Sequence, residues 1–448
     1  MTRNPRGIVL DNLIEINEEH SPSHIVVKES LDQYYSLSRQ DRAFIKRLTI
    51  GTLEHLTSID EIIDRYSSVP VTKQKPVIRN IIRSGVYQLL YTEVNAPSAC
   101  NESVNLCKKY GFAGLAGFVN GVMRTVARNK DALVAELDCD INASADKLHA
   151  LCFKYSMPEW IAKYFLDNYG LEKTVAVFDF FFKDNPVTIC CNQSNIEQYK
   201  LEALLKAKVE SVTTIEDMPK CMRLSGYDSL VMLDEFVSGL FWVQDFSSVL
   251  ASELPDINMI HEYLNGRLTY DIKVLDLCAA PGGKTINMAD RFKVAGLNAH
   301  FTACDISESK LALVKDNITR LGFDNIDILK NDATVFKPDF EENFDIVLTD
   351  VPCSGLGIIG KKPDIKYNTS PDKQDELVRL QRSILDNAVR YLKTGGYMVY
   401  STCTVNHAEN EENVEYIKDK GFEALLTRQL LPGELESDGF FYSLLKKL

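Results

Sequence analysis

Apolar residues recur at helical spacing through the first third of the chain: Phe44, Leu48, Ile50 and Leu53, then Ile59, Ile62 and Ile63. Pro76 stands where the first turn of a helix tolerates proline, and Ile78, Ile81, Ile82, Leu89 and Leu90 follow as its buried face. Residues 1 to about 140 are expected to be helical throughout. The pattern stops at 138–146, which is acidic, small and without a periodic face, and reads as a linker. Over 147–240, helical stretches at 157–169 and 195–207 alternate with strand candidates at 186–191 and 229–233, as in a small α+β domain. Residues 242–254 read as a helix. From about Tyr270, apolar runs of strand length at 274–277, 300–304, 326–330, 344–349 and 397–401 alternate with helical patterns. Strands spaced by helices predict a parallel, doubly wound sheet, with 439–444 as a closing strand. The expected chain is therefore multidomain: all-α over 1–140, α+β over 145–240 and α/β over 241–448.

Chemistry concentrates in the last domain. The run FDIVLTDVPCSG (344–355) is a strand that ends on Asp350, turns at Pro352 and delivers a thiol, Cys353. The run GGYMVYSTCTVNHAENEEN (395–413) is a second strand, ending at Thr402 and Cys403. Ligands of open α/β sheets bind beyond the carboxyl ends of strands. An acid and two thiols at that edge point to covalent catalysis by an activated sulfur. The first strand runs into CAAPGGKT (278–285) and then a helix; its small residues and glycines admit a ligand close to backbone. It is neither G-x-G-x-x-G nor a P-loop. The second strand ends at Asp305, placed to accept ribose hydroxyls, and the third at Asn331–Asp332, placed to meet a base. Together these residues describe a crevice for a nucleoside cofactor.

Charge and cysteine usage narrow the setting. The net charge is −13, near zero over 1–150, −4 over 151–240 and −9 over 241–448. An acidic chain needs local basic clusters to hold RNA. The densest are Lys75, Arg79 and Arg83, four apart on one helical face, and Arg124, Arg128 and Lys130. A charged face is more often simply solvated. Eleven cysteines occur without C-x-x-C or zinc-type spacing, so no metal is expected and the thiols are expected to be reduced. No run of apolar residues is long enough to span a membrane. The first twenty residues carry acids where a signal peptide needs an apolar run, so a cytoplasmic protein is expected.

VLDLCAAPGGKT, Asp305, Asn331–Asp332, TDVPCSG and YSTCTVNHAENEENV resemble the RNA cytosine-5 methyltransferases, a Rossmann-like, S-adenosylmethionine-dependent family. SRQDRAFIKRLTIGTLEH, GVYQLLY and GLAGFVNGVMRTVAR resemble the NusB-like RNA-binding domain. Together they resemble the bacterial small-subunit (16S) ribosomal RNA members of the family, in which the middle segment would be RRM-like. The resemblance implies methylation of 16S ribosomal RNA at carbon 5 of a cytosine; a monomer is expected. It implies cofactor contacts by Cys278, Ala279, Ala280, Pro281, Gly282, Gly283, Lys284, Asp305, Asp332 and Asp350. It names Cys403 as nucleophile and Cys353 as the assisting thiol; the chemistry also calls for an acid near N3 of the ring, for which Asp350 is the candidate. Lys75, Arg79, Arg83, Arg124 and Arg128 are the expected RNA contacts. DNA cytosine-5 methyltransferases use the thiol of a Pro-Cys turn, which would name Cys353 instead. Gly360 and Lys361 stand where the RNA family often carries two arginines, and lysine lacks the bidentate fork. Two other functions stay open. One is transfer RNA methylation, against which the NusB-like domain argues. The other is a non-catalytic RNA-binding factor, against which Cys353, Cys403 and Asp350 argue.

Overall fold

The structure, a computed structural model, describes residues 4–34, 37–266 and 270–448. It divides into two compact units, one formed by the chain up to 182 together with 359–370, the other by 183–358 with 371–448. These divisions differ from the expected ones near 140 and 241, for reasons visible in each core.

The first unit is helical. Its axis is the helix Pro76–Tyr91, buried at Ile78, at every position from Asn80 to Leu90, and exposed chiefly at its start. The helices Pro5–Glu19, Arg39–Glu54, Leu56–Tyr66, Ala96–Lys109 and Ala116–Arg128 pack around it. Close approach is built into the sequence. A Cβ on Gly51 would lie 2.1 Å from the Tyr87 hydroxyl, and one on Gly85 would lie 2.6 Å from Ser103 Oγ. Fully burying each Ile, Leu or Val of this core stabilises it by about 1.5–3 kcal/mol. The expected linker at 138–146 lies inside the unit. Lys154 Nζ donates to the Cys139 carbonyl at 3.2 Å, and the helix Lys147–Tyr155 sends Phe153 into the same core. The helix Glu159–Phe181 follows, broken at Gly170, whose φ is +75°.

A strap from far along the chain completes this unit. In 359–370, Lys366 is 2% exposed and its Nζ donates to the carbonyls of Glu54 (2.6 Å) and Ser156 (3.0 Å). Tyr367 donates to the Leu53 carbonyl at 2.9 Å, and Asp364 accepts from Ser23. Glu54 closes one helix and Ser156 caps another, so the ammonium satisfies carbonyls that helix ends leave open. Burial lowers the Lys366 pKa to about 7.

The second unit holds two sheets. The smaller is antiparallel, in the order β2-β3-β1-β4, with β1 Val187–Cys191, β2 Ser211–Thr214, β3 Cys221–Ser225 and β4 Phe241–Val243. The candidate strand at 229–233 is a 3-10 turn, Leu230–Met232, with Val231 and Met232 exposed and unpaired in any sheet. The helix expected over 242–254 begins later, at Phe246–Ser252. β4 occupies its start because it pairs with β1, and Asp245 caps the helix. Cys190, Cys221 and Trp242 share one core with Phe292, Phe301 and Val399 of the larger sheet's layer. That shared core is why 183–240 is not a separate body. Where the two layers meet, Gly239 lies so close to the Arg320 carbonyl that a Cβ would sit 1.9 Å from it.

The larger sheet runs β10-β11-β9-β8-β5-β6-β7. Its members are β5 Ile272–Asp276, β6 Ala299–Asp305, β7 Ile326–Lys330, β8 Phe344–Asp350, β9 Leu392–Thr402, β10 Phe422–Leu430 and β11 Phe440–Lys447. β5 to β9 are mutually parallel, while β11 pairs antiparallel with both β9 and β10. The expected doubly wound sheet is present, with one more strand, β10, than the sequence pattern marks. The carboxyl ends of β5, β6, β8 and β9 place Asp276, Asp305, Asp350 and Thr402 along one edge.

Candidate active site

The turn after β5 is shaped by a buried acid. Asp276 is 1% exposed; it accepts the Thr285 hydroxyl at 2.6 Å and the Cys278 amide at 3.3 Å. Burial raises its pKa to about 6. Ala279 donates to the Cys304 carbonyl at 2.8 Å, and the Pro281 carbonyl accepts from Asn317 at 3.0 Å. Gly282 has φ +102°, which side chains disfavour, and it opens the helix Gly283–Val294. Cys278, Ala279, Ala280, Pro281, Gly282, Gly283 and Lys284 therefore form one continuous turn at a helix N-terminus, where negative charge is favoured.

The ends of the next two strands meet beside it. Asp305 is 7% exposed, and its Oδ1 accepts the Ser307 amide at 3.0 Å. Among the described residues its second oxygen has no hydrogen-bond donor, leaving it open to a ligand hydroxyl. The Asn331 amide donates to the Asp305 carbonyl at 3.1 Å, while the Asn331 side-chain Nδ2 is buried without a partner. A buried orphan donor is costly, and a ligand acceptor would satisfy it. Asp332 Oδ1 accepts the Thr334 hydroxyl (2.7 Å) and amide (2.9 Å), which lowers its pKa, and among the described residues its second oxygen is open as that of Asp305 is. The two open acids, the orphan donor and the glycine turn fit a nucleoside cofactor.

Asp350 and Ser401 are register partners on β8 and β9. Ser401 Oγ donates to Asp350 Oδ1 at 2.7 Å, and Lys284 Nζ donates to Oδ2 at 2.6 Å. Lys284 also lies 4.9 Å from the Phe440 ring centroid. One lysine thus ties the glycine turn to the acid of the Pro-Cys turn.

The two thiols meet. Cys353 Sγ and Cys403 Sγ are 3.2 Å apart, both half-buried, and all eleven cysteines are free. Contact with the Cys403 sulfur, burial, and the charges of Glu409 and Asp350 push the Cys353 thiol well above its usual pKa.

Other side chains at the site escape sequence reasoning. Asp276 ends its strand as Asp305 and Asp350 do, and that same rule marks it. Glu409 sits in an acidic, Asn-rich stretch that reads as a solvated helix start, yet it is 0% exposed. Only the repeated asparagines Asn406, Asn410 and Asn413 hint at a built loop.

The basic residues divide. Arg79 forms a salt bridge with Glu18, and Arg83, 8% exposed, makes a bidentate pair with Asp60 at 2.6 and 2.7 Å. The shared face of Arg79 and Arg83 is real, but acids of neighbouring helices already occupy it. Lys75, Arg124 and Arg128 are exposed, with Lys75 Nζ 5.3 Å from the Phe112 ring. Among the described residues no cluster of three His, Cys, Asp or Glu could hold a metal, and no helix is long and apolar enough to cross a membrane.

Comparison with known proteins agrees with this geometry. Residues 267–446 match the family described as 16S rRNA methyltransferase RsmB/F, and residues 3–128 match the NusB family. The probable ribosomal RNA small subunit methyltransferase B of Bacillus subtilis (strain 168) is 31% identical over 466 aligned residues, covering 99% of this chain and 98% of that protein. Its namesake from Synechocystis sp. (strain ATCC 27184 / PCC 6803 / Kazusa) is 30% identical, covering 97% of each. The crystal structure of PH0851 shares the fold, with a TM-score of 0.79 at 23% identity over the whole of both chains.

Proposed function

Since this chain belongs to the RsmB/F family of 16S rRNA methyltransferases, which depend on S-adenosylmethionine, we propose that it methylates carbon 5 of a cytosine in small-subunit ribosomal RNA through a covalent Cys403–cytosine adduct. The observation that carries this reading is the meeting of two thiols, from the ends of neighbouring strands, at 3.2 Å beside a doubly held Asp350.

Carbon 5 of cytosine is a weak nucleophile. Addition of the Cys403 sulfur to carbon 6 makes carbon 5 enamine-like, splitting one hard step into easier ones. The electron pair displaced from the ring is accommodated at N3, which takes up a proton from water, and the Asp350 carboxylate accepts the hydrogen bond of the N3–H so formed. Bound S-adenosylmethionine supplies the methyl group. Carbon 5 then gives its proton to water, the C5–H electron pair re-forms the ring double bond, N3 returns its proton and the carbon 6–sulfur bond breaks, releasing Cys403. Cys353, in contact with that sulfur, is proposed to assist the release, directly or through the water that takes the carbon 5 proton. Cys403 rather than Cys353 is assigned the attack, as a thiolate, because the family resemblance puts the nucleophile at the cysteine that follows the end of β9. Lys75, Arg124 and Arg128 are the exposed cations proposed to hold RNA phosphates, and the target base must leave its stack to reach the sulfur.

The test uses both thiol variants with small-subunit ribosomal RNA. Cys403→Ala is expected to give neither adduct nor methyl transfer. Cys353→Ala is expected to accumulate a protein–RNA adduct that survives denaturing electrophoresis. The opposite pattern reverses the roles, and full turnover by both variants sinks the covalent mechanism.

A further inference from the structure

A carboxylate outside the reacting pair binds the two thiol-bearing loops together. Glu409 is wholly buried, and its oxygens are saturated by neutral donors from three segments. Oε2 accepts the Ser354 amide at 2.8 Å and Gln381 Nε2 at 2.9 Å; Oε1 accepts the Ser354 hydroxyl and Asn406 Nδ2 at 3.0 Å. Gln381 Nε2 also donates to the Pro352 carbonyl at 2.9 Å. The peptide groups on both sides of Cys353 are thereby pinned, Pro352 C=O by Gln381 and Ser354 N–H by Glu409. The other loop is held from the same centre. Ser354 Oγ lies 2.7 Å from Thr404 Oγ1, the Gly357 amide donates to the Cys403 carbonyl at 3.1 Å, and Tyr400 donates to the Glu409 carbonyl. A buried carboxylate among neutral donors is costly to desolvate and persists only where its hydrogen bonds are complete. The described surroundings give it no cation to pair with, so its office here is to accept four hydrogen bonds at once.

We propose that Glu409 is the positioning residue of this site: its carboxylate clamps the Pro352–Cys353–Ser354 turn to the Cys403 loop and so sets the separation and mutual orientation of the two sulfurs. The proposal rests on the covalent reading above for its catalytic meaning, though not for its geometry. No neutral isostere does the same work. The amide of Glu409→Gln has one acceptor oxygen and places an NH2 group against donors that already face inward.

The test reads sulfur proximity directly. Diamide accepts two electrons and two protons from a pair of thiols, which become a disulfide while diamide becomes the hydrazine. In the full-length protein, Cys353 and Cys403 are expected to cross-link rapidly, as followed by peptide mapping. Glu409→Gln and Glu409→Ala are expected to slow that cross-link by about tenfold or more, and to lower kcat by about 10²-fold, the scale of an ångström-sized misplacement. KM for ribosomal RNA and affinity for S-adenosylmethionine are expected to change little. Cys190 and Cys221, wholly buried with sulfurs 3.5 Å apart, serve as the folding control, since they cross-link only if the unit opens. If Glu409→Ala does not fold, Glu409→Gln and Gln381→Met decide the question. Unchanged cross-linking, or slowed cross-linking with unchanged kcat, overturns the proposal. Retained methyl transfer by Cys403→Ala would instead sink the covalent reading and leave the cross-linking result standing.

Discussion

Lys284 Nζ and Asp350 Oδ2, 66 residues apart in the chain, are 2.6 Å apart in the fold. The lysine arises from the first turn of the helix after the glycine run, and the aspartate from the last position of β8. Their pairing joins the expected cofactor turn to the expected catalytic turn. If both turns serve as proposed, a change at either residue is expected to reach both.

Lys284→Gln is expected to lower methyl transfer roughly tenfold or more, because a hydrogen bond to a charged group is worth about 1.5–3 kcal/mol. Cofactor binding and turnover should fall together in calorimetry and methyl-transfer assays. A loss confined to RNA binding would contradict the arrangement.

Asp305→Ala is expected to weaken S-adenosylmethionine binding by a similar factor, since its open oxygen is the acceptor offered to the ribose. Unchanged affinity in a folded variant, measured by calorimetry, would remove Asp305 from the cofactor site.

The basic residues make opposed predictions. Removing charge at Lys75, Arg124 or Arg128 should reduce the slope of log K against log salt by about 0.7–0.9 for each phosphate no longer neutralised. Arg79→Ala and Arg83→Ala should leave that slope unchanged and lower stability, because each strands a paired acid, Glu18 or Asp60. Equal slopes for all five variants would assign the exposed cations to solvent.

His55 makes the first unit acid-labile. Burial, with Lys366 nearby, lowers its pKa to about 3 from about 6.5. Between those values the unfolded chain binds a proton that the folded chain refuses, so stability is complete above about pH 6.5 and drains away as pH falls toward 3. Each tenfold difference in proton affinity between the two states is worth about 1.4 kcal/mol. His55→Phe lacks that proton, so its denaturant midpoint should gain on the wild type as pH is lowered from 7 to about 4. A constant gap would place the acid sensitivity elsewhere.

Where the sequence located residues in the fold, the signal was local. Asp305 and Asp350 end apolar runs of strand length, and the structure places them at the ends of β6 and β8, with Cys353 and Cys403 just beyond β8 and β9. Helical periodicity located the face carrying Arg79 and Arg83 but said nothing about Glu18 and Asp60, which arrive from other helices. Glu409 shows the same limit: an acid among acids looks solvated until the fold surrounds it with Ser354, Gln381 and Asn406. β2 and β10 went unmarked because polar or exposed residues dominate them, and an edge or hairpin strand needs no apolar alternation. Residues 230–232 misled in the opposite sense, since Val231 and Met232 there face solvent.

The 359–370 strap bears on heredity. A helical body closed by a piece of chain encoded far downstream does not behave as an interchangeable cassette. A chimera that joins this catalytic half to a relative's helical half would carry a strap cut for another socket, with the Lys366 ammonium delivered to carbonyls that need not be there. Recombination between distant relatives is thereby penalised at a point remote from any breakpoint, and the two halves are bound to diverge in step.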